Sequence, residues 1–485
     1  MTEPRPRPLL LGLGWPPDQT GGLNRYYRDL FEALGDATGV VIGPARDAPA
    51  SVTAVSRHDA PMPSRVRAFD RAAQQAAGGA DVVDAHFALY AARPVRRGAV
   101  ADKPLVVHFQ GPWASEHVAG RDHLGVRDRA ARAVRHRIER SVYRRATRAV
   151  TLSGAFARIL VEDYGVSPWR VRIVPPGVAL DRFTPGDRDA ARRRLGLPPG
   201  VPVVLSVRRL VPRTGVDVLL DAWAHVAPPA HRDRGRRPER PRWSARPARG
   251  LDTVRFAGAP DDDALVDWYR AADLTVVPSR ALEGFGLVVL ESLACGTAPV
   301  VTDNGGLPEA VLGLDPGLVV AAGDAAALAA RIDGALTGTD PAPDAARCRA
   351  AAEQSDWATV ADRNVAVYVE AVADRAAPAR RTRVVYLDHV ARSPGRASRW
   401  RLLDGVARSV DAHVVTFETG PLLSALGAAG ITSEVVAMPA RTTDLSRARV
   451  GRRLPVAAVW DTGMQVLRLS QRLRRLRPDL VPRTR

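Results

Sequence analysis

The chain has 485 residues, 46% of them hydrophobic, with a formal charge of +18 at pH 7 and an isoelectric point near 11.0. That length and apolar content exclude a disordered chain and a disulfide-stapled miniprotein, and predict several globular domains with ample core. Two cysteines, Cys295 and Cys348, exclude a disulfide framework and a cysteine metal set; with no signal peptide and no membrane-spanning apolar run, a reducing cytoplasm is the expected compartment.

Leu9 to Leu13 reads as a short buried strand, followed by a loop with Gly21 and Gly22 and a helix from about Asn24. Backbone amides at such a helix start can hold an anion, although the glycine pair alone reads equally well as a plain turn. DVVDAHFALYA (81–91) and PLVVHFQGPWASE (104–116) are further buried strands ending in polar residues, with His86 and His108 as the notable groups. A lone histidine at a strand end is more often a structural residue than a ligand.

Residues 121–150 form a strongly basic helical region that includes Arg132, Arg135, Arg137, Arg140, Arg144, Arg145 and Arg148. Such a helix can rest on an anionic membrane, at about 1 kcal/mol per basic residue near the surface, or it can be a solvated face. The overall charge points to acidic partners: nucleotide phosphates, anionic lipid or nucleic acid. Lys103 is the single lysine, however, and a GC-rich genome produces an arginine bias without selection for binding. Nucleic acid is therefore not the expected partner.

A strand over 202–207 leads into Arg208-Arg209-Leu210 and a helix from about Gly215. After His225 the pattern collapses, and PPAHRDRGRRPERPRWSARPARG (228–250) has no periodicity and almost no apolar residues. The strands resume at LDTVRFAG (251–258), and the acids Asp261 to Asp263 read as a helix cap rather than a metal set.

LTVVPS (274–279) then delivers SRALEGFGLVVLESLACGTAPVVTDNGGLPEAVL (279–312), the most informative stretch. Its order is a loop with Glu283 and Gly284, a helix from about Phe285 carrying Glu291, a buried parallel strand, a tight Gly305-Gly306 loop, and Glu309 opening the next helix. Acids at strand ends, with glycines that let backbone approach a ligand, are how an open α/β sheet holds a nucleotide. Carboxylates accept strong hydrogen bonds from the hydroxyls of ribose or hexose. SDWATVADRNVAVYVEAVAD (355–374) is a long helix, and from Arg380 a new strand–helix series begins with TRVVYLDHVA and ends near RPDLV (477–481).

The stretch 279–312 resembles the donor-site signature of the family 4 retaining glycosyltransferases, in which two glutamates flank seven residues and a GGxPE loop follows. The resemblance implies an α/β chain with the GT-B fold: two doubly wound Rossmann-like domains facing a cleft, plus a partial third α/β unit. The expected limits are an acceptor-side domain over 1–178, a donor domain over 179–354, a helix crossing back over 355–375, and over 381–485 the partial first half of a second, similar domain. Glu283 would face the donor sugar and Glu291 the ribose, with Gly284, Phe285, Gly286 and Leu287 around them. The loop of Gly21 and Gly22 would lie against the donor diphosphate. Relatives place a histidine on the donor sugar where this chain has Gln110, so that role passes to Gln110 or to His108. Arg209 matches an arginine that holds the diphosphate; the matching lysine position is Thr214, and Arg213 is the neighbouring substitute.

The implied reaction is retaining transfer of a hexose from a nucleotide sugar to a hydroxyl acceptor, lipid-linked or glycan, with no cofactor or metal. An inner membrane face would be a peripheral partner. Relatives also have a central strand and a Gly-x-Gly-Pro loop where 228–250 lies. That interval reads as a disordered basic insertion or, preferably, as a frameshifted segment: read one base later, HRDRGRRP is compatible with Thr-Val-Ile-Ala-Gly-Asp-Gly. A lost strand would leave neighbours unpaired, at about 1–3 kcal/mol for each buried group. The rival expectations are an inactive remnant and a basic binding module.

Overall fold

The computed structural model describes residues 5–376 except 20, 117–118, 120–124, 227–252 and 259. Beyond 376 it describes 383–388, 411–417, 423, 426–427, 431–436, 469, 471–473 and 475–476. The interval 228–250, the 121–124 part of the basic region, the loop and helix expected over 391–409, and 477–481 lie outside the described residues. Packing divides the chain into two units, Met1–Gly165 with Ile173–Arg375, and Val166–Arg172 with Ala376–Arg485.

The first sheet contains β1 (Pro8–Leu11), β2 (Thr38–Ile42), β3 (Val52–Val55), β4 (Val82–Ala85), β5 (Leu105–Phe109), β6 (Arg148–Thr151) and β7 (Val171–Ile173), in the order β3-β2-β1-β4-β5-β6-β7. β1, β4 and β5 are buried along their whole length, as a parallel strand covered on both faces must be. That is why their sequences are apolar runs rather than alternations. The chain leaves β1 in one direction and β4 continues in the other, so loops part at their carboxyl ends and open a crevice there. Helix Gly22–Leu34 covers this sheet with Tyr26, Tyr27, Leu30, Phe31 and Leu34, one stripe at helical spacing.

The second sheet contains β8 (Val204–Leu205), β9 (Leu274–Val277), β10 (Pro299–Thr302) and β11 (Val319–Val320), in the order β11-β10-β9-β8, with all pairs parallel. Among the described residues β8 pairs only with β9, and 201–208 are half-buried. Over the described part of the strand expected at 251–258 no strand forms: 254–258 are irregular, and Phe256 is 40% exposed. An extended segment becomes a strand only where a neighbour satisfies its N–H and C=O groups, and none lies beside it among the described residues.

Helix Trp357–Ala376 returns to the first sheet. Its Tyr368 hydroxyl donates to Asp84 Oδ2 at 2.5 Å. Glu370 takes Arg148 Nε at 2.8 Å, and Asp374 also pairs with that buried arginine. Cys295 and Cys348 are free and buried, and burial pushes both thiols up to about 12. Among the described residues no helix is long and apolar enough to cross a membrane.

The second unit has a parallel sheet of β12 (Arg383–Asp388), β13 (Asp411–Thr416) and β14 (Thr432–Val435), in the order β12-β13-β14. Val385, Val415 and Val436 form its core, packed by Phe417, Leu469, Leu473 and Leu476. Three strands adjacent in chain order repeat the arrangement of β1, β2 and β3.

Candidate functional site

The loop after β9 builds the centre of the site. Leu282 sits at φ 53, uncommon for a branched residue, and carries the chain into Glu283. Glu283 Oε2 accepts from Ser279 Oγ at 2.9 Å and from Arg208 Nη2 at 2.5 Å. The Glu283 carbonyl accepts from Gly306 N at 3.0 Å, while Thr302 Oγ1 and Asn304 Nδ2 donate to the carbonyls of Ser279 and Arg280. Gly305, at φ +59, has no room for a side chain: a Cβ there would lie 1.9 Å from the Glu283 carbonyl oxygen.

Burial opposes the charge on Glu283. The Arg208 guanidinium, the Ser279 hydroxyl and nearby Arg213 outweigh it and hold the carboxyl below its usual pKa. Such a group contributes stability that is fully present above its unfolded value, about 4.3, and lost as pH falls through the lower folded value. Glu283→Gln is therefore expected to flatten the acid limb of stability below about pH 4.3, read by urea denaturation at stepped pH. An unchanged limb would show that the carboxylate gains nothing from its partners.

Two adjacent arginines part company here. Arg208 is turned inward, with 8% of its side chain exposed, whereas Arg209 is exposed. Thr214 is buried and donates its hydroxyl to the carbonyls of Arg209 and Val211, both at 2.7 Å, closing the turn Pro212–Thr214. The turn aims Arg213 at the Leu282 carbonyl and at Glu116 Oε1, each at 3.5 Å. Burial lowers the Arg213 pKa; Glu116 and Glu283 oppose that shift, and the neighbouring arginines add to it. Arg208, Arg213 and Glu283 thus form a compact charged cluster, and Glu116 approaches it from the first Rossmann-like domain.

Glu291, on helix Leu287–Ala294, is buried with both oxygens engaged. Oε1 takes Arg25 Nη1 at 2.8 Å and Oε2 takes the Tyr269 hydroxyl at 2.7 Å. Arg25 belongs to helix Gly22–Leu34, so this bond joins the two sheets' domains. Gly21 precedes that helix at φ 136, and a Cβ on Gly22 would lie 3.9 Å from Leu287 Cδ1. Gly284, Phe285, Gly286 and Leu287 complete the facing loop, with Gly286 at positive φ capping the helix. A second bridge comes from Glu309, whose oxygens accept from Gly154 N at 2.9 Å and Ala155 N at 3.1 Å at the start of helix Gly154–Glu162. An acid at a helix amino end is favoured by the free amides and the dipole.

His108 and Gln110 separate. His108 is 2% exposed, with Nε2 3.0 Å from Asp84 Oδ2 and Nδ1 3.3 Å from the Tyr26 hydroxyl. Gln110 is half-buried at the strand end, its Nε2 3.2 Å from His86 Nδ1, and it lines a small cavity with Trp113 and Glu116. Burial works against the Asp84 charge, but His108 and His86 hold its carboxyl well below the usual range, while burial pushes His86 down. Behind the cavity, buried Glu139 accepts from the amides of Trp113 and Ala114 and from the hydroxyls of Tyr143 and Tyr164. It fixes the loop that presents Gln110 and Glu116.

Arg25, Asp84, Glu116, Arg208 and Tyr269 were not legible as site residues in the sequence. Only Asp84, two residues before His86 on one strand face, left a local signal.

Two family models match the chain: "Glycosyltransferase Family 4" over residues 20–182 and "Glycosyl transferases group 1" over 187–355. The D-inositol 3-phosphate glycosyltransferase of Geodermatophilus obscurus is 41% identical over 273 residues, 53% of this chain and 60% of that protein. The one from Acidothermus cellulolyticus is 41% identical over 255 residues, 49% and 56% respectively. The match thus spans less than two thirds of the length of these relatives. Among solved structures, sucrose-phosphate synthase from Thermosynechococcus elongatus is similar with a TM-score of 0.61 at 22% identity, over 76% of this chain and 100% of that one. Anabaena HepE in complex with UDP and glucose has a TM-score of 0.57 at 19% identity, over 75% and 99%. At these identities the likeness is one of fold.

Proposed function

Because the chain belongs to the family 4 glycosyltransferases, with their GT-B fold, we propose that it transfers a hexose, with retention, from a nucleoside diphosphate sugar to a hydroxyl acceptor. The observation that carries this reading is the Glu283 carboxylate, held by Arg208 and Ser279 with Arg213 alongside. Glu283 accepts hydrogen bonds from the donor sugar, and Glu291 receives the ribose, sharing or displacing Arg25. Arg208 and Arg213, with the amides of the Gly21-Gly22 loop, bear on the diphosphate, where charge develops as the sugar departs. Arg209 stands exposed beside them. Gln110 and Glu116 line the sugar side, and His108 stands behind Gln110. A diphosphate oxygen takes the acceptor proton on the same face, so the chemistry needs no protein base.

The first acceptors to assay are phosphorylated polyols, after the relatives named for D-inositol 3-phosphate, then lipid-linked and glycan hydroxyls. An arginine-lined surface groove of about 510 Å³, with Arg96, Arg137, Arg140 and Arg145, favours a peripheral hold on anionic lipid. Such binding weakens as salt rises.

UDP, GDP and ADP, with their sugars, are expected to differ in raising the melting temperature. A ligand at a hundred times its Kd adds about 2.7 kcal/mol, and Glu291→Ala should abolish that gain. A chain that melts cooperatively with no response to any nucleotide would instead be an inactive remnant. The irregular backbone over 254–258, where a strand was expected, favours that second reading.

A further inference from the structure

Asp84 and His86 stand two residues apart at the end of β4, hence on one face. His86 is 3% exposed, and its Nε2 lies 3.3 Å from Asp84 Oδ2, which also accepts from the Tyr368 hydroxyl. Burial lowers the His86 pKa, so the ring is neutral and carries a single N–H. The buried carboxylate decides which nitrogen bears it. An unshared pair on Nε2 would face negative oxygen in a poorly screened interior, so the proton sits on Nε2 and Nδ1 is left as an acceptor.

That choice passes on to Gln110, just beyond β5. Its Nε2 lies 3.2 Å from His86 Nδ1. A ring nitrogen without a proton can only accept, so the glutamine turns its NH₂ end inward to donate. A glutamine can offer a ligand either end of its amide; here only the carbonyl remains. Gln110 is half-buried, and among the described residues nothing donates to its Oε1. The cavity beside it is also lined by Gly111, Trp113 and Glu116. The loop of Glu283 is close. A Cβ on Gly111 would lie 3.6 Å from Phe156 Cε2, and one on Gly284 would lie 3.0 Å from the same atom. The backbone next to Gln110 and the backbone next to Glu283 thus meet at one ring edge.

We propose that Gln110 reads the donor sugar through its carbonyl oxygen, accepting a hydrogen bond from one sugar hydroxyl, with His86 and Asp84 as positioning residues that hold the amide that way round. This role rests on the transfer reading above and adds a specificity to it. A site built to bond a hydroxyl discriminates against the analogue that lacks it, because its own polar group is then left unpaired.

The probes are UDP-glucose, UDP-N-acetylglucosamine and GDP-mannose and, for the one consumed, its monodeoxy analogues, assayed on the full chain by nucleotide release. The wild type is expected to use one analogue at least about tenfold less well than the parent sugar, the loss of one hydrogen bond. In Gln110→Leu and in His86→Phe that ratio should fall to within about twofold, because no fixed acceptor remains. A merely structural role would slow parent and analogue alike; an unchanged ratio in both variants overturns the proposal. Nitrogen NMR of the histidine-labelled wild type gives a readout that does not depend on how the variants fold. The neutral His86 ring should carry its proton on Nε2, and a proton on Nδ1 overturns the proposal even where turnover is normal. A donor consumed with no hydroxyl preference sinks this role alone. If none of the three is consumed, the transfer reading fails and this role falls with it.

Discussion

Replacing Arg208 by methionine is expected to lower the transfer rate about 10²–10³-fold, the loss typical when one preorganised donor to developing charge is removed. Arg209→Met should change it only slightly. The two positions are adjacent, and the resemblance of motifs points to Arg209. The geometry points to Arg208, which is inward and bonded to Glu283, whereas Arg209 is exposed. Stability is expected to follow a different pattern. Arg208→Met leaves Glu283 buried without its partner, at about 3–5 kcal/mol, and the double variant Arg208→Met/Glu283→Gln should recover most of that without recovering turnover. Rates normalised to folded protein, beside urea melts, separate the two effects. A larger loss in Arg209→Met would return the role to that residue.

Gly305→Ala should be nearly as damaging although it alters no charged group. The left-handed backbone costs a residue with a Cβ about 1–2 kcal/mol. The larger effect is steric, because the new carbon would meet the Glu283 carbonyl oxygen at 1.9 Å and push that segment aside. A displacement of about 1 Å at a reacting centre can cost about 10²-fold in rate. Gly215→Ala should act similarly on the other side, through the Pro278 carbonyl at 1.8 Å, and disturb Arg213 and the loop before Glu283. Gly313→Ala, with open space around the new methyl, is the control. If Gly305→Ala keeps full turnover, the Gly305-Gly306 loop does not position Glu283.

The strands were legible because burial on both faces writes itself as a continuous apolar run, as in β4, β5, β9 and β10. The Glu283–Glu291 spacing was legible because loop and helix lie together in the chain. Arg208 against Arg209 was not, since neighbouring residues in extended backbone face opposite ways and composition does not say which way is in. Nor were the bonds between Arg25 and Glu291, or Glu309 and the amides of Gly154 and Ala155. Their partners lie 266 and about 155 positions apart and meet only through the docking of two sheets. The strand expected over 251–258 is missing from its described part, 254–258, for a related reason: its residues suit a strand, but a strand also needs a neighbour.

The order β11-β10-β9-β8 also bears on recognition. In the first sheet the strand order turns back on itself between β1 and β4, giving a crevice with two walls. Among the described residues the second sheet contains no such reversal and stops at β8. A nucleotide laid along its strand ends can be gripped at the sugar and phosphates, where Glu283, Glu291, Arg208 and Arg213 stand, yet among the described residues it meets no opposing wall on the β8 side. Most of the affinity would then come from the part that all nucleoside diphosphates share, and the differences expected among UDP, GDP and ADP would be a modest remainder.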